Sequence, residues 1–410
     1  MDEETILLNA QAMKLVYQDR MREGNASWLG FVIRRFEQNR ILYGSVFVDS
    51  FLKNIGDFIR GELGSCHGFY LRGGRFVILT PSAELTAEAE QHIKERFQKP
   101  CVNGERTAFF DISYVTSGGD IRLPSLEEFL LVLEDSLQAA KFPEVGSLVV
   151  DKGVLQKIKY KFHVHRLLMA ALESNSLEVY LQPMVETGTG RLLGAGALVR
   201  LKDSDGTVVF PDEFIPAAES NGLVTVLGLQ VFRKVCSFIS QGGMQQSGIE
   251  WININVSPVQ CLGRDLPEKL EKIRKEYGIP IRYIHLEITE QGALGPGGLE
   301  QIDLLHRLSY TMILDDFGKG YANSSRVKSI ALSGIKIDMS LVWAHFKKPD
   351  TYLPNLIKGF RDLGFTITAE GVETEEMVKG LRAMGCNYFQ GYYYSRPVPM
   401  YEFLKKYRVS

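Results

Sequence analysis

The second half of the chain repeats one pattern, an apolar strand followed by a helix, and this pattern limits the possible folds more than any other feature. Eight strands are predicted there, over residues 177–183, 192–201, 250–257, 282–289, 311–317, 334–338, 365–372 and 387–395. Strands that alternate with helices form parallel sheets. The number eight favours an α/β barrel of the TIM type, (β/α)8. A doubly wound open sheet is the alternative, but no glycine-rich phosphate loop follows the first strand.

Residues 1–145 differ from this pattern and predict a smaller α+β domain. Helices are predicted over 3–22, 47–62, 83–98 and 126–141, and strands over 28–36, 67–71, 75–80 and 106–116. A further helix at about 154–174 carries one apolar stripe. We therefore expect a domain at 1–145, a connecting helix within 146–176 and the barrel at 177–410.

Charge and cysteine content exclude some classes of function. The formal net charge of −2 gives no basis for binding a nucleic-acid polymer. No apolar run reaches the roughly 18 residues of a membrane span, and the acidic first residues do not fit a signal peptide. The five cysteines form no CxxC pair, which favours reduced thiols and a cytoplasmic location.

Polar side chains gather where the predicted strands end. They are Asn255, Glu287, Glu290, Asp315, Asp316, Lys336, Asp338, Glu370, Glu373 and Gln390. In an α/β barrel these ends meet at one rim. Carboxylates that converge repel one another unless cations lie between them, and an oxygen-only ligand set favours Mg²⁺ or Mn²⁺ over Zn²⁺. The pattern therefore predicts chemistry on phosphate groups with divalent cations, in which two ions activate water and stabilise an in-line attack.

These residues lie in segments that resemble the EAL domain family, the cyclic di-GMP phosphodiesterase module. The matching segments are VYLQPMV, GALVRL, FPDEFIPAAESNGLV, NVSP, LEITE, DDFGKGY, IKID, AEGVETEE and FQGYYYSRP, and they occur in family order within residues 160–410. The resemblance implies the barrel and also implies that its first strand runs antiparallel to the others.

The resemblance also assigns expected roles to individual positions. The expected metal ligands are Asn255, Glu287, Asp315 and Asp316; the expected catalytic-centre residues are Lys336, Glu370, Glu373 and Gln390; the expected cyclic di-GMP contacts are Gln182, Arg200, Pro211, Phe214, Asp338 and Gly391. An arginine suits a guanine edge or a phosphate because its guanidinium presents a fork of donors.

Two positions depart from the family pattern. The name-giving Glu-Ala-Leu triplet is Gly196-Ala197-Leu198 here, so one metal-ligating carboxylate is absent. Lys319 stands where the family usually has a threonine, in DDFGKGY. An ammonium close to aspartates disfavours a bound Mg²⁺ or Mn²⁺. We expect Lys319 either to act as a countercharge in place of a metal ion or to point into solvent.

Residues 28–141 resemble a GGDEF domain, the cyclic di-GMP synthase module, at the level of fold pattern. RGGRF at 72–76 stands in place of the signature, with Arg75 at its acid, and Val32 falls at the position of the metal-binding aspartate. Without these acids Mg²⁺–GTP has no ligands, so no diguanylate cyclase activity is expected from this degenerate domain.

The sequence predicts a cyclic di-GMP signalling protein, a catalytically impaired EAL pseudo-enzyme that binds cyclic di-GMP, a protein partner or both. An active or weakly active metal-dependent cyclic di-GMP phosphodiesterase is the first alternative. A protein-binding adaptor that uses no nucleotide is the second. The cofactor would be Mg²⁺ or Mn²⁺, weakly bound or absent, and the resemblance allows a homodimer.

Overall fold

The computed structural model describes residues 2, 5, 7–22, 27–118, 121–142, 145–289, 298–319 and 331–409. It divides into two compact units, Met1–Phe162 and His163–Ser410. None of the helices in these ranges combines the length and the apolar character that crossing a membrane requires.

The first unit is built on one mixed sheet. Its strands are β1 (Ser27–Ile33), β2 (His67–Tyr70), β3 (Arg75–Thr80), β4 (Cys101–Asn103), β5 (Arg106–Ala108), β6 (Ile112–Ser117) and β7 (Ser147–Val150). Its helices are α1 (Ala10–Arg22), α2 (Phe36–Tyr43), α3 (Ser45–Glu62), α4 (Ala83–Gln98) and α5 (Leu126–Ala140). The sheet order is β2-β3-β1-β6-β7, with β4 and β5 as a separate hairpin. Apolar clusters cover both faces of the central strand β1, which explains its nearly continuous apolar sequence.

The junction between the predicted domains differs from the expectation. Residues 147–150, predicted to lie in the connecting segment, form β7, which pairs in parallel with β6 and lies at the edge of the first sheet. The helix itself, α6 (Lys152–Glu173), is present as predicted. The expected boundary at 145 therefore falls inside the first unit, because a strand of four residues is too short to produce a clear apolar period.

The second unit is an eight-stranded barrel with helices outside it, as predicted. Its strands are β8 (Glu178–Glu186), β9 (Leu192–Lys202), β10 (Val208–Val209), β11 (Trp251–Val256), β12 (Ile284–Thr289), β13 (Thr311–Phe317), β14 (Gly334–Ile337), β15 (Thr366–Ala369), β16 (Tyr388–Phe389) and β17 (Val398–Pro399). Its helices are α7 (Pro211–Ser220), α8 (Val224–Ser240), α9 (Gly243–Ser247), α10 (Leu266–Glu276), α11 (Gly298–Arg307), α12 (Met339–Lys347), α13 (Tyr352–Asp362), α14 (Glu375–Met384) and α15 (Met400–Lys406).

The barrel closes through its first strand. Strands β9 and β11 to β16 are parallel, and β8 pairs antiparallel with both β9 and β16. The antiparallel first strand implied by the resemblance is thus confirmed. The outward residues of the parallel strands, such as Ile252, Ile254 and Leu286, are buried in the core cluster that includes the surrounding helices.

The inward face of the barrel changes character along its length. Successive side chains on a strand alternate between faces, so every second residue points into the barrel. On β12 these residues run from His285 to Glu287, and on β15 from Thr366 through Thr368 to Glu370 just beyond the strand. Neutral side chains therefore fill the N-terminal end and charged ones the C-terminal end, where sites lie in such barrels.

Candidate functional site

A buried lysine lies at the centre of the carboxylate rim. The Nζ of Lys336 is 3.0 Å from Glu287 Oε1, 3.0 Å from Asp315 Oδ1 and 2.7 Å from Glu370 Oε1. Four consecutive barrel strands, β12 to β15, supply these residues. Sequence reasoning expected the carboxylates to converge, and the structure brings them together around this ammonium.

Burial and mutual charge set the protonation of this cluster. Burial raises the pKa of Glu370 to about 8, although the Lys336 ammonium opposes the rise. Burial also raises the pKa of Glu287, with Asp315 adding repulsion and Lys336 opposing it. Burial alone would lower the pKa of Lys336, but the carboxylates, Asp315 first, hold it well above its usual value. The lysine therefore stays charged at neutral pH and offsets part of the negative charge of the rim.

One face of the cluster has the arrangement of a cation site. Asp315, Asp316 and Glu370 each offer a carboxylate oxygen, and these three oxygens lie within 4.8 Å of one another. Asp316 has a left-handed backbone, with φ of 56°, at a register irregularity between Leu314 and Phe317. This break in β-strand geometry allows two successive aspartates to contribute to one group, because successive side chains of a regular strand point to opposite faces.

Lys319 lies beside this group of oxygens. Its Nζ is 3.6 Å from Asp316 Oδ2, and two thirds of its side chain is exposed. Burial and the charge of Asp315 raise the pKa of Asp316, and Lys319 opposes this rise. The Lys319 side chain is thus largely exposed and pairs with Asp316; its expected role as a countercharge in place of a metal ion stays a prediction. The remainder of this loop, residues 320–330, lies outside the described residues, as does Glu290.

Two asparagines of β11 share the inward face. Asn255, the predicted ligand, is exposed at the rim and lies in register with Glu287. Asn253 is buried, and its Nδ2 donates to Glu287 Oε1 at 2.7 Å. The sequence analysis missed Asn253. Its position two residues before Asn255 was the available signal, because both must lie on the same face of the strand.

The space beside Gly196 is filled by a glutamine. A Cβ at position 196 would lie 2.9 Å from the Nε2 of Gln390. This amide donates to Gln182 Oε1 at 3.1 Å, and Gln182 donates in turn to the carbonyl of Ser395 at 3.4 Å. The Oε1 of Gln390 is buried and has no hydrogen-bond partner among the described residues. An uncharged amide network of Gln390 and Gln182 therefore lies beside Gly196.

Arg200 is buried at the rim between aromatic rings. Its guanidinium carbon lies 5.5 Å from the ring centre of Tyr180 and 5.8 Å from that of Phe210, and NH1 donates to the carbonyl of Val199. Among the described residues no carboxylate forms an ion pair with it, and burial lowers its pKa. A cation buried in this way is suited to receive an anion or a guanine edge. Phe210 is more than half exposed and was not predicted.

The structure gives other predicted contact residues local roles. Phe214 has no exposed surface and packs in the barrel core, so it does not wall the rim. Asp338 caps α12 by accepting from the Ser340 N–H at 2.8 Å. A Cβ at Gly391 would lie 2.1 Å from the carbonyl oxygen of Val372, so close packing requires this glycine. Pro211 is the first residue of α7, and Glu373 is exposed after β15.

Comparison with solved structures identifies proteins of similar fold. The chain is similar to the PaMucR phosphodiesterase solved as a c-di-GMP complex, with a TM-score of 0.55, 27% identity and coverage of 58% of this chain and 99% of that one. It is also similar in fold to the S helix-GGDEF-EAL structure of LapD from Vibrio cholerae, with a TM-score of 0.53, 16% identity and coverage of 96% and 95%.

Sequence comparison identifies the family of the second unit. Over 243 residues the chain is 33% identical to the probable cyclic di-GMP phosphodiesterase PdeB of Escherichia coli K12. This alignment covers 59% of this chain and 46% of that protein. The chain thus spans less than half the length of this relative. The EAL domain model matches residues 165–397, more than half of the chain. The chain belongs to the EAL domain family.

Proposed function

We propose that this chain is a cyclic di-GMP receptor whose EAL barrel binds the dinucleotide at its C-terminal rim but hydrolyses it slowly or not at all. One observation carries the proposal: position 196 is a glycine whose side-chain space is filled by the amide of Gln390. The groups expected to hold the dinucleotide, Gln182 and Arg200, remain at the rim. Binding requires donors and stacking surfaces, whereas hydrolysis also requires groups that stabilise the transition state.

Arg200 is the residue that we expect to contribute most to binding. It is buried, its guanidinium carbon lies 5.5 Å and 5.8 Å from the ring centres of Tyr180 and Phe210, and it forms no ion pair among the described residues. A phosphate or guanine that reaches it therefore does not have to displace an existing ion-pair partner, and charge-assisted hydrogen bonds are the strong ones. Phe210, exposed beside it, offers a ring on which a base can stack.

The residues present fit one divalent cation better than two. Asp315, Asp316 and Glu370 would hold Mg²⁺ or Mn²⁺, since these cations prefer carboxylate oxygens. When bound, such an ion lowers the pKa of its water and polarises a phosphoryl oxygen. Lys336 already offsets part of the charge of Glu287, Asp315 and Glu370, and Lys319 pairs with Asp316. These two ammonium groups reduce the attraction of the rim for a cation, and the carboxylate absent at position 196 reduces it further.

A working phosphodiesterase is the second candidate, and the surviving group of Asp315, Asp316 and Glu370 favours it. Water can complete the coordination of Mg²⁺, which commonly keeps several waters. Glu370, whose pKa is raised to about 8, and Lys336 would then hold protons close to the reacting phosphate. The relatives named as phosphodiesterases support this reading for the family as a whole.

For the first unit we propose a degenerate GGDEF domain without cyclase activity. Val32 is buried within β1, where an apolar side chain cannot bind Mg²⁺–GTP. Arg75 at the start of β3 pairs with Glu134 of α5 at 2.7 Å. The residue that replaces the signature acid is thus engaged in an ion pair within its own domain. A protein partner, a homodimer and a cytoplasmic location remain predictions from the sequence.

Calorimetric titration of the full chain with cyclic di-GMP, in EDTA and in excess MnCl₂, tests the proposal. We expect binding under both conditions, at least tenfold weaker binding after Arg200→Ala, and unchanged binding after Arg191→Ala, an exposed arginine just before β9. Chromatography of the same samples measures product. Product above the level of a Glu287→Ala variant would favour the phosphodiesterase. Absence of any binding heat would refute the receptor and leave the adaptor.

A further inference from the structure

The barrel interior contains a second polar space at the end opposite the carboxylates. A cavity of about 140 Å³ lies between Trp251, His285, Thr311, Thr366 and Tyr388, together with neighbouring inward side chains. Each of these five is the first or second residue of its strand. Because the rim carboxylates lie at the other ends of the same strands, this cavity is separate from the proposed dinucleotide site.

The cavity is aromatic on one side and carries hydroxyl groups on the other. The Trp251 and His285 rings stack with centres 5.2 Å apart, and Tyr388 meets Trp251 edge-on at 5.3 Å. The hydroxyl groups come from Thr311, which lies in register with His285 on the adjacent strand β13, and from Thr366 at the start of β15. Within the described part of the chain, no aspartate, glutamate, lysine or arginine lines the cavity, and burial lowers the pKa of His285 to about 4. An uncharged lining favours a neutral ligand.

One buried acceptor that lines the cavity lacks a partner. Asn253 is 1% exposed, and its Nδ2 donates to Glu287 Oε1 at 2.7 Å. This contact fixes the orientation of the amide, because a carboxylate can only accept. The Oδ1 of Asn253 then has no hydrogen-bond partner among the described residues. An unsatisfied buried acceptor costs free energy, and a donor on a molecule in the cavity would satisfy it.

Size and access further restrict the occupant. A cavity of about 150 Å³ in another protein accommodates benzene, so about 140 Å³ suits a single six-membered ring with small substituents. Ser333 and Thr366 line the cavity and are themselves exposed, so it opens to solvent at the N-terminal end of the barrel. A whole nucleotide, and still less a dinucleotide, does not fit this volume.

We propose that the N-terminal end of the barrel binds a small, neutral, planar heterocycle that carries N–H or O–H donors, in the size range of a pyrimidine base. The ring stacks beside Trp251 and Tyr388, where aromatic contacts provide apolar area. A donor on its edge pairs with Asn253 Oδ1, and the threonine hydroxyls bond its remaining polar atoms. Asn253 links this site to Glu287 of the rim cluster, but binding here does not require the function proposed at the rim.

Protein-observed NMR with uracil as the probe tests the proposal. The indole N–H resonance of Trp251, assigned with a Trp251→Phe variant, reports binding in the full chain, and the indoles of Trp28 and Trp343 serve as internal references. Toluene is the control probe, because it has a similar ring but no donors. Thr311→Met is designed to fill the cavity, and Thr311→Val keeps its shape. Ser333→Phe is the alternative variant if Thr311→Met does not fold. Position 333 is exposed, and the phenylalanine ring narrows the opening of the cavity.

We expect uracil to move the Trp251 resonance saturably with a Kd on the order of 1 mM, the range for a ligand of so few atoms. Thr311→Val, which keeps the shape of the cavity but removes one hydroxyl, should weaken this binding by about twofold to fivefold, whereas Thr311→Met or Ser333→Phe should weaken it at least tenfold. Three results would overturn the proposal: no saturable shift up to about 20 mM uracil, equal binding to the filled variants, or binding of toluene without binding of uracil.

Discussion

Introducing a carboxylate at position 196 is the sharpest perturbation of this barrel. A side chain at this position meets Gln390 Nε2, which lies 2.9 Å from the position of the new Cβ. Gln390 must then move and lose its 3.1 Å hydrogen bond to Gln182, at a cost of about 1 kcal/mol. The new carboxylate also enters a rim that already holds Glu287, Asp315 and Glu370. Each pair of like charges about 4 Å apart costs up to about 4 kcal/mol at an effective dielectric of about 20.

We therefore expect Gly196→Glu to lower the free energy of unfolding by about 2–4 kcal/mol in EDTA, since proton uptake limits the repulsion. Mn²⁺ should reverse the loss, because a fourth carboxylate completes its ligand set. At 100 times its Kd a ligand stabilises the folded state by about 2.7 kcal/mol. Urea unfolding followed by circular dichroism, with EDTA or with MnCl₂, measures both values.

Gly196→Gln is the matched control, because it has the same size and no charge. It should lose the hydrogen bond of Gln390 and recover no more than the original protein when Mn²⁺ is added. If Gly196→Glu has the same stability in EDTA and in MnCl₂, or if Gly196→Gln gains as much as Gly196→Glu, the explanation based on the missing ligand is wrong.

Three further variants test the charges and the buried histidine. Lys319→Thr should tighten Mn²⁺ binding by about twofold to fivefold, the effect of removing one exposed ion pair, and calorimetry should show no such change for Lys319→Arg. Lys336→Met should lower the free energy of unfolding in urea by about 3–5 kcal/mol, because it leaves buried carboxylates unpaired; an unchanged midpoint would contradict the central role of this lysine. His285 has a pKa of about 4 in the folded state against 6.5 unfolded, so its contribution to stability is present above pH 6.5 and is lost as the pH falls toward 4. Between pH 7.5 and pH 4.5 this loss in the free energy of unfolding is about 2.5 kcal/mol. The free energy of unfolding of His285→Phe should therefore fall by about 2.5 kcal/mol less than that of the original protein over this pH range. Equal decreases in the two proteins would refute the lowered pKa of His285.

Much of the barrel could be predicted because its strands are buried on both sides. Strands of this kind appear as short apolar runs between polar or glycine-rich residues, and β13 begins and ends where the sequence predicted, at Thr311 and Phe317. The last strand was predicted too long, over 387–395, from its run of aromatic residues. Only Tyr388–Phe389 pairs, because Gly391 packs against the Val372 backbone and the chain turns there.

The composition of the rim was predictable, but its connections were not. Residues at strand ends identify which side chains share the rim, but the three contacts of Lys336 with carboxylates were not predicted. The filling of the space at Gly196 by Gln390 depends on two strands far apart in sequence. The ion pair of Lys319 depends on the left-handed backbone at Asp316. Neither feature leaves a local signal in the sequence.

The reversed direction of β8 determines where the polypeptide enters the barrel. Glu178, the first residue of β8, pairs with Arg200 near the end of β9, so the strand starts at the C-terminal rim and runs downward. In a barrel of uniformly parallel strands, the preceding segment would enter at the N-terminal end, far from the C-terminal rim. Here α6 ends at Glu173, five residues before Glu178, so the segment that joins this helix to the barrel enters at the rim, beside the strand residue Arg200.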